Sequence, residues 1–138
     1  MAWRQANAIR NIMIDANVDA LDTGGVATLQ FRTSAQPTNP DDAPVGTLLG
    51  TCTFSATAFG GSGTPGVGQA TANTVTADSS ADASGTVAHA RLLRGNGNIH
   101  SDANCVLSPA SGDFVFDNTS IVAGGIIAVA SIVATQPV

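Results

Sequence analysis

Apolar residues near the N-terminus recur at the three- and four-residue spacing of a helix. One stripe contains Ala6, Ile9, Ile12, Met13, Ala16 and Ala20. Because residues at this spacing lie on one side of a helix, the pattern predicts a helix from Ala2 to Leu21. Thr23, Gly24 and Gly25 follow, and glycine suits the left-handed conformation that caps many helices.

A second apolar set lies on another flank of the same helix. It contains Trp3, Ile14, Val18 and Leu21. A helix that is apolar on two sides packs between two surfaces, either inside its own domain or against another subunit. Asp15, Asp19 and Asp22 fall near its C-terminal end, where the helix dipole disfavours each anion by roughly a few tenths of a kcal/mol. We expect solvent, rather than an arginine from a partner, to stabilise these carboxylates.

Beyond the helix the period of the pattern changes to two. Ala27, Leu29 and Phe31 alternate with polar residues, which predicts a half-buried strand. A second strand is predicted to bury Leu48, Cys52, Phe54, Ala56 and Ala58, with Thr47, Thr51, Thr53 and Thr57 on its other face. Further strands are predicted at 67–77, 86–93, 98–100 with 105–107, 113–116 and 125–135. The pattern after the helix is that of a β domain.

Three segments between these strands carry turn signals. Residues 36–44, here called the proline loop, contain Pro37, Pro40 and Pro44, which remove backbone donors and restrict their neighbours. Residues 60–66 form a glycine-rich tip that matches neither a phosphate loop nor a dinucleotide fingerprint, so we expect a plain flexible loop. Asn96-Gly97 is the strongest hairpin signal, and it predicts a type I′ turn.

These elements together predict an all-β fold with one N-terminal helix. Seven or eight short strands separated by turn signals favour an antiparallel β-sandwich or jelly roll. We expect a helical segment at 1–24 and a β-sandwich domain at 25–138, forming one compact domain. A chain of 138 residues is long enough to bury about 65–70% of its unfolded surface in a single core.

Composition and charge exclude several classes of partner. The net charge is −5 with a sequence pI near 4.4, and the five arginines are dispersed, which argues against nucleic acid. The longest apolar stretch, 126–133, is shorter than the roughly 20 residues of a membrane-spanning helix, and the N-terminus lacks a secretory pattern. We expect a soluble protein made in a cytoplasm. Since only 11% of residues are charged, neighbouring molecules are expected to cover part of its surface.

Few residues offer chemistry. His89 lies in mid-strand and is expected to face solvent or a neighbouring subunit, whereas His100 sits beside Ser101 and Asp102 near a turn. Adjacency in sequence does not place a base between a nucleophile and an orienting acid. Three sets of hard ligands, Asp41 with Asp42, Asp78 with Asp82 and His100 with Asp102, match neither a calcium loop nor a zinc spacing. We therefore predict a protein that is not an enzyme and needs no metal or other cofactor.

The two cysteines and one sequon have simple structural interpretations. Cys52 and Cys105 lack metal-site spacing, and we favour two small buried thiols over a disulfide. Asn118-Thr119-Ser120 fits a glycosylation acceptor, but with no secretory signal it is interpreted as a turn in which side chains bond local backbone.

Three turn-rich segments resemble a known family. The run from Asp78 to Thr86, the turn from Gly95 to Gly97 and the run from Asp117 to Gly124 are similar to those of small virion proteins of tailed bacteriophages. The resemblance implies an N-terminal helix before an all-β domain, and a role as a head protein that decorates or cements the capsid. The proline loop and the 60–66 tip depart from the family pattern, and the family supplies no catalytic residue.

The resulting hypothesis is a virion structural protein that binds the major capsid protein, associates with itself in the particle and stabilises the head. The expected location is the capsid surface, after assembly in the host cytoplasm, with no nucleic-acid or membrane partner. The predicted partner contacts are Trp3, Ile14, Val18, Leu21, Pro37, Pro40 and Pro44. Alternatives are a tail or fibre component and, with less support because exposed aromatic residues are scarce, a carbohydrate-binding adhesion module.

Overall fold

The computed structural model describes residues 3–107 and 114–136, which are mostly β with one short helix. The helix α1 spans Asn7–Asp19 and continues into a 3₁₀ turn at Ala20–Asp22. The strands are β1 (Thr28–Arg32), β2 (Leu48–Thr53), β3 (Gln69–Thr71), β4 (Gly85–Thr86), β5 (His89–Leu93), β6 (Ile99–Leu107), β7 (Phe114–Phe116), β8 (Ser120–Ile121) and β9 (Val133–Thr135). This confirms the predicted β-rich class with one N-terminal helix.

Helix α1 begins later than the sequence pattern predicts. Ala6 is its N-cap and has extended backbone (φ −63°, ψ 150°), with no side-chain hydrogen bond to the first turn. Alanine cannot supply the side-chain acceptor that stabilises a helix start, so the apolar stripe alone overestimated the length. Ala2, the predicted first residue, lies outside the described residues.

The main sheet has the order β2-β1-β5-β6-β7. Its first four strands pair in antiparallel fashion, whereas β6 and β7 are parallel, with Cys105 opposite Phe114. The prediction of a wholly antiparallel fold is therefore wrong at this edge. The sheet curls, and the two-stranded sheets β3–β9 and β4–β8 complete a sandwich-like arrangement. A jelly roll stays a prediction.

The two faces of the main sheet differ in character. The inner face buries Leu29 and Phe31, as their alternation predicts. The outer face carries the polar row Gln30, Arg91 and Asp102, which lie side by side on β1, β5 and β6. Apolar side chains thus point to the core and polar ones away from it, as expected for one-sided strands.

A bulge in the β1–β2 pair changes which leucine is buried. Phe31 pairs with Gly50 but Arg32 pairs with Leu48, so Leu49 is an extra residue in the ladder. An extra residue reverses the alternation beyond it. Leu49 is consequently fully buried and Leu48 only partly so, which corrects the predicted inward position of Leu48.

Strands β5 and β6 form the hairpin that the Asn96-Gly97 signal predicts. The N–H of Gly97 donates to the carbonyl of Arg94 (2.8 Å), and Gly97 has φ +84°. Asn96 does not have positive φ, so the turn is not type I′. A turn closed by one left-handed glycine is the next most common hairpin connection.

The C-terminal region contains less strand than its apolar pattern predicts. Of the predicted strand 125–135 only β9 is regular, although Ile127 and Ile132 are buried. Ile127 instead forms an isolated bridge with Asp78, whose N–H and carbonyl bond those of Ile127 at 2.9 Å. Single bridges and side-chain burial therefore hold this segment. The short pair β4–β8 was not predicted.

One hydrophobic core joins the helix, the main sheet and the C-terminal segment. It includes Ile14, Leu29 and Ile132. The rings of Phe31 and Phe116 meet edge to face at 5.4 Å. Cys52 and Cys105 are buried as thiols, as the favoured interpretation predicted, and burial raises the pKa of Cys52.

Candidate functional site

The side chain of His89 is fully buried, so the prediction that it faces solvent or a neighbouring subunit is wrong. It does lie on the outer face of the main sheet, but the chain around Ser34 covers it. Its Nδ1 lies 2.9 Å from the Ser34 carbonyl oxygen, and its Nε2 has no hydrogen-bond partner in the described part of the chain. The polar–apolar alternation along β5 predicts the correct face for His89. It does not indicate that the segment around Ser34 covers that face.

His100, Ser101 and Asp102 do not form a catalytic arrangement. His100 uses Nδ1 toward the Ser101 hydroxyl (2.9 Å) and Nε2 toward the carbonyl of Asn17 (2.8 Å). Asp102 points to the opposite face of the strand, where it binds Arg91. Within residues 3–107 and 114–136, no group of three His, Cys, Asp or Glu side chains is placed to hold a metal ion.

A buried ion pair lies on the outer face of the main sheet. Arg91 Nε and Nη2 each lie 2.7 Å from a different carboxylate oxygen of Asp102, and the two side chains are only 1% and 2% exposed. Two parallel charge-assisted bonds fix both position and orientation. The hydrogen bonds to Asp102 raise the pKa of Arg91, whereas burial lowers that of Arg32 nearby.

The same arginine anchors the proline loop. Its Nη1 donates to the carbonyl of Asp42 (3.0 Å) and its Nη2 to that of Pro40 (3.3 Å). The guanidinium thus joins a carboxylate in the sheet to two loop carbonyls. The predicted loop is confirmed, but its backbone is fastened to a buried charge, which sequence patterning did not indicate.

The predicted partner contacts differ in their exposure to solvent. Ile14, Val18 and Leu21 are at most 2% exposed and pack in the chain's own core, so they are not available at the surface of this chain. They follow the helical period that faces the sheet. The other predicted contacts remain accessible: Trp3 is 88% exposed, Pro40 and Pro44 are exposed and Pro37 is half-buried.

The opposite side of α1 is apolar and open to solvent. We call Ile9, Ile12, Met13 and Ala16 the outer helix face. Ile12 is the most accessible of its larger side chains, at 62% exposed. The two-sided helix that the sequence indicates is therefore confirmed, but the core covers the Ile14 flank and leaves the first stripe uncovered.

The polar side of the helical segment binds the glycine-rich region, so the expectation that solvent stabilises its aspartates is wrong for Asp15 and Asp22, whereas Asp19 is exposed. Asp15 accepts from the N–H (2.8 Å) and hydroxyl (2.7 Å) of Ser62. Asp22 accepts from the N–H of Ala58 (2.9 Å), and Asn11 from that of Gly68 (2.7 Å). The 60–66 tip is thus docked on the helix through Ser62, and Asp22 and Asn11 hold the residues on either side of it, which limits its predicted flexibility.

Replacing Asp15 with alanine is expected to loosen this tip, because a charge-assisted bond contributes about 1.5–3 kcal/mol. Amide hydrogen exchange should accelerate at Ser62. Replacing Asn11 with alanine should instead accelerate exchange at Gly68. Exchange rates at both amides that stay unchanged in both variants would contradict the docking.

An open cleft of about 910 Å³ lies between the inner face of the curled sheet and the C-terminal segment. Phe31, Leu92 and Ala103 line it from the sheet, and Val18 from the helix. The helix and the proline loop therefore lie on opposite sides of the main sheet. The cleft has a mixed lining of polar and apolar side chains.

Comparison of the chain with protein-family models, with curated proteins and with solved structures found no match. No helix among residues 3–107 and 114–136 is long and apolar enough to cross a membrane.

Proposed function

We propose that this protein is a bacteriophage virion structural protein that decorates the capsid, binding the lattice of the major capsid protein and stabilising the head. The observation that supports it best is the proline loop, which a buried charge holds in place while Pro40 and Pro44 stay exposed. A loop that is ordered before binding loses less conformational entropy in the complex. Such a loop suits recognition of a fixed, repeated surface.

The physical requirements of decoration agree with the composition. Many copies bind equivalent sites, and any linkage between copies raises their joint affinity without new contacts to the capsid. Low charge and exposed apolar side chains favour a surface that other proteins cover. Among the described residues, Trp3 is the one exposed aromatic side chain, which gives little support to a sugar-binding module.

The direct test adds the purified protein to capsids that lack it. We expect saturable co-sedimentation and a higher disruption temperature of the capsids. A variant with both Pro40 and Pro44 replaced by serine should bind at least tenfold more weakly. Val122→Ser is the matched control, because Val122 is 67% exposed and, within the described residues, its backbone bonds only Gly125, not the proline loop.

Two outcomes would redirect the proposal. Capsids that neither bind the protein nor gain thermal stability would contradict decoration. Labelling of the tail rather than the head, seen in particles that carry a tagged copy, would favour a tail or fibre component.

A further inference from the structure

The charged side chains of the helical region divide into those with partners and those without. Arg10 donates to the carbonyl of Gln136 (3.2 Å), and Asp15 and Asp22 accept bonds from the 58–68 region. Arg4 and Asp19 are exposed, and their side chains bond no residue that the structure describes. One positive and one negative group therefore remain, at opposite ends of α1.

The apolar residues of the outer helix face are spaced symmetrically about its midpoint. Its large residue Ile9 and its small residue Ala16 are equally distant from the midpoint between Ile12 and Met13. If a second helix of the same sequence runs antiparallel about that midpoint, each Ile9 faces an Ala16 and each Ile12 faces a Met13. The large Ile9 side chains then lie opposite the small Ala16 side chains on either side of a central Ile12–Met13 contact, and such alternation lets two helices approach closely.

The same arrangement brings the unpartnered charges together. With about 1.5 Å of rise per residue, Asp19 of one copy comes level with the segment just before the helix of the other copy. Arg4 belongs to that segment. A parallel arrangement would place like charges side by side, which is unfavourable.

From these observations we propose that two copies of this chain pair through the outer helix face, with their helices antiparallel and with Arg4 of each copy bound to Asp19 of the other. The pairing surface lies on the side of the main sheet opposite the proline loop. A dimer therefore leaves its two proline loops uncovered. The inference does not depend on the capsid proposal, and either can fail alone.

Sedimentation equilibrium of the full chain tests the pairing. We expect a reversible dimer, and Ile12→Asp should raise its dissociation constant at least tenfold because it places a charge at the centre of the interface. Val122→Asp, at an exposed position outside the helix, should leave the constant unchanged. A wild-type chain that stays monomeric at all concentrations overturns the proposal, as does an Ile12→Asp variant that dimerises normally.

Charge exchange distinguishes a second copy from any other occupant of this face. Arg4→Asp and Asp19→Arg should each weaken the dimer several-fold, and the double variant should recover the wild-type constant, because both new charges are again opposite. A double variant that dimerises no better than the single variants overturns the Arg4–Asp19 pairing.

Cysteine cross-linking gives a readout that does not depend on the charge variants. Ile12 lies next to the symmetry axis, so Ile12→Cys should form a disulfide-linked dimer on mild oxidation. The two Ile9 positions are about 10 Å apart along the helix axis in the antiparallel pair, so Ile9→Cys should not. Efficient linkage by both variants would indicate parallel helices and overturn the proposal. Native Cys52 and Cys105 are buried and should not cross-link between copies.

Discussion

Replacing Asp102 with alanine is expected to lower the free energy of unfolding by about 3–5 kcal/mol. The substitution leaves the Arg91 guanidinium, which is 1% exposed, without its carboxylate. The two loop carbonyls that it also contacts are dipoles and cannot neutralise a buried charge. Urea unfolding followed by circular dichroism measures the loss.

A matched control separates burial from charge. Asp41→Ala removes an exposed carboxylate from the proline loop and should change stability by no more than about 0.5 kcal/mol. A loss below about 1 kcal/mol for Asp102→Ala would show that water reaches the pair and that the loop is not held as described.

The double variant Arg91→Met with Asp102→Leu separates stability from loop anchoring. Replacing both members of a buried ion pair with apolar residues is often neutral or stabilising, so most of the stability should return. The carbonyls of Pro40 and Asp42 would still lack their donor. Under the capsid proposal this variant should therefore fold and yet bind capsids more weakly.

Replacing Gly95 with alanine is the second change with a large expected effect, about 3 kcal/mol. A Cβ at Gly95 would lie only 2.0 Å from the carbonyl oxygen of Gly25 and 2.1 Å from its carbonyl carbon. The N–H of Gly95 also donates to the Leu21 carbonyl (2.9 Å), so the β5–β6 turn cannot move away without breaking a bond to the end of the helical segment.

The control for Gly95 is Gly61→Ala. A Cβ there meets nothing within 4 Å, and the residue does not have positive φ, so stability should stay within about 0.5 kcal/mol. Thermal unfolding of the three proteins side by side measures the contrast. Equal unfolding midpoints for Gly95→Ala and wild type would mean that the β5–β6 turn at Gly95 does not contact the turn at Gly25.

Local patterning predicts those parts of the fold that depend on neighbours in sequence. Leu29 and Phe31 are buried where their alternation places them, and the Asn96-Gly97 hairpin forms. Leu49 was missed because the bulge depends on how β2 aligns with β1, which its own sequence does not determine. The parallel pairing of β7 with β6 was missed for the same reason, because the tertiary fold and not the sequence of β7 determines its partner.

The candidate site was less predictable than the fold, because exposure depends on distant segments. His89 lies on the strand face that alternation predicts, but the segment around Ser34 covers it, and the proline loop covers Arg91. A positive charge between apolar residues in mid-strand was the available signal that something covers this face. Nothing local indicated that Asp102, eleven residues later, supplies its counter-charge.

The pairing of β3 with β9 has a consequence for how the chain reaches its native state. Gln69 lies opposite Thr135 and Asp78 opposite Ile127, so structure in the middle of the chain requires its last described residues. Contacts between positions so far apart in sequence close large loops, and chains dominated by them fold slowly. A growing polypeptide on the ribosome would hold its 69–78 region without these partners until residues 127–135 have been made. Assembly of the β3–β9 sheet therefore follows synthesis of β3 only after a long delay.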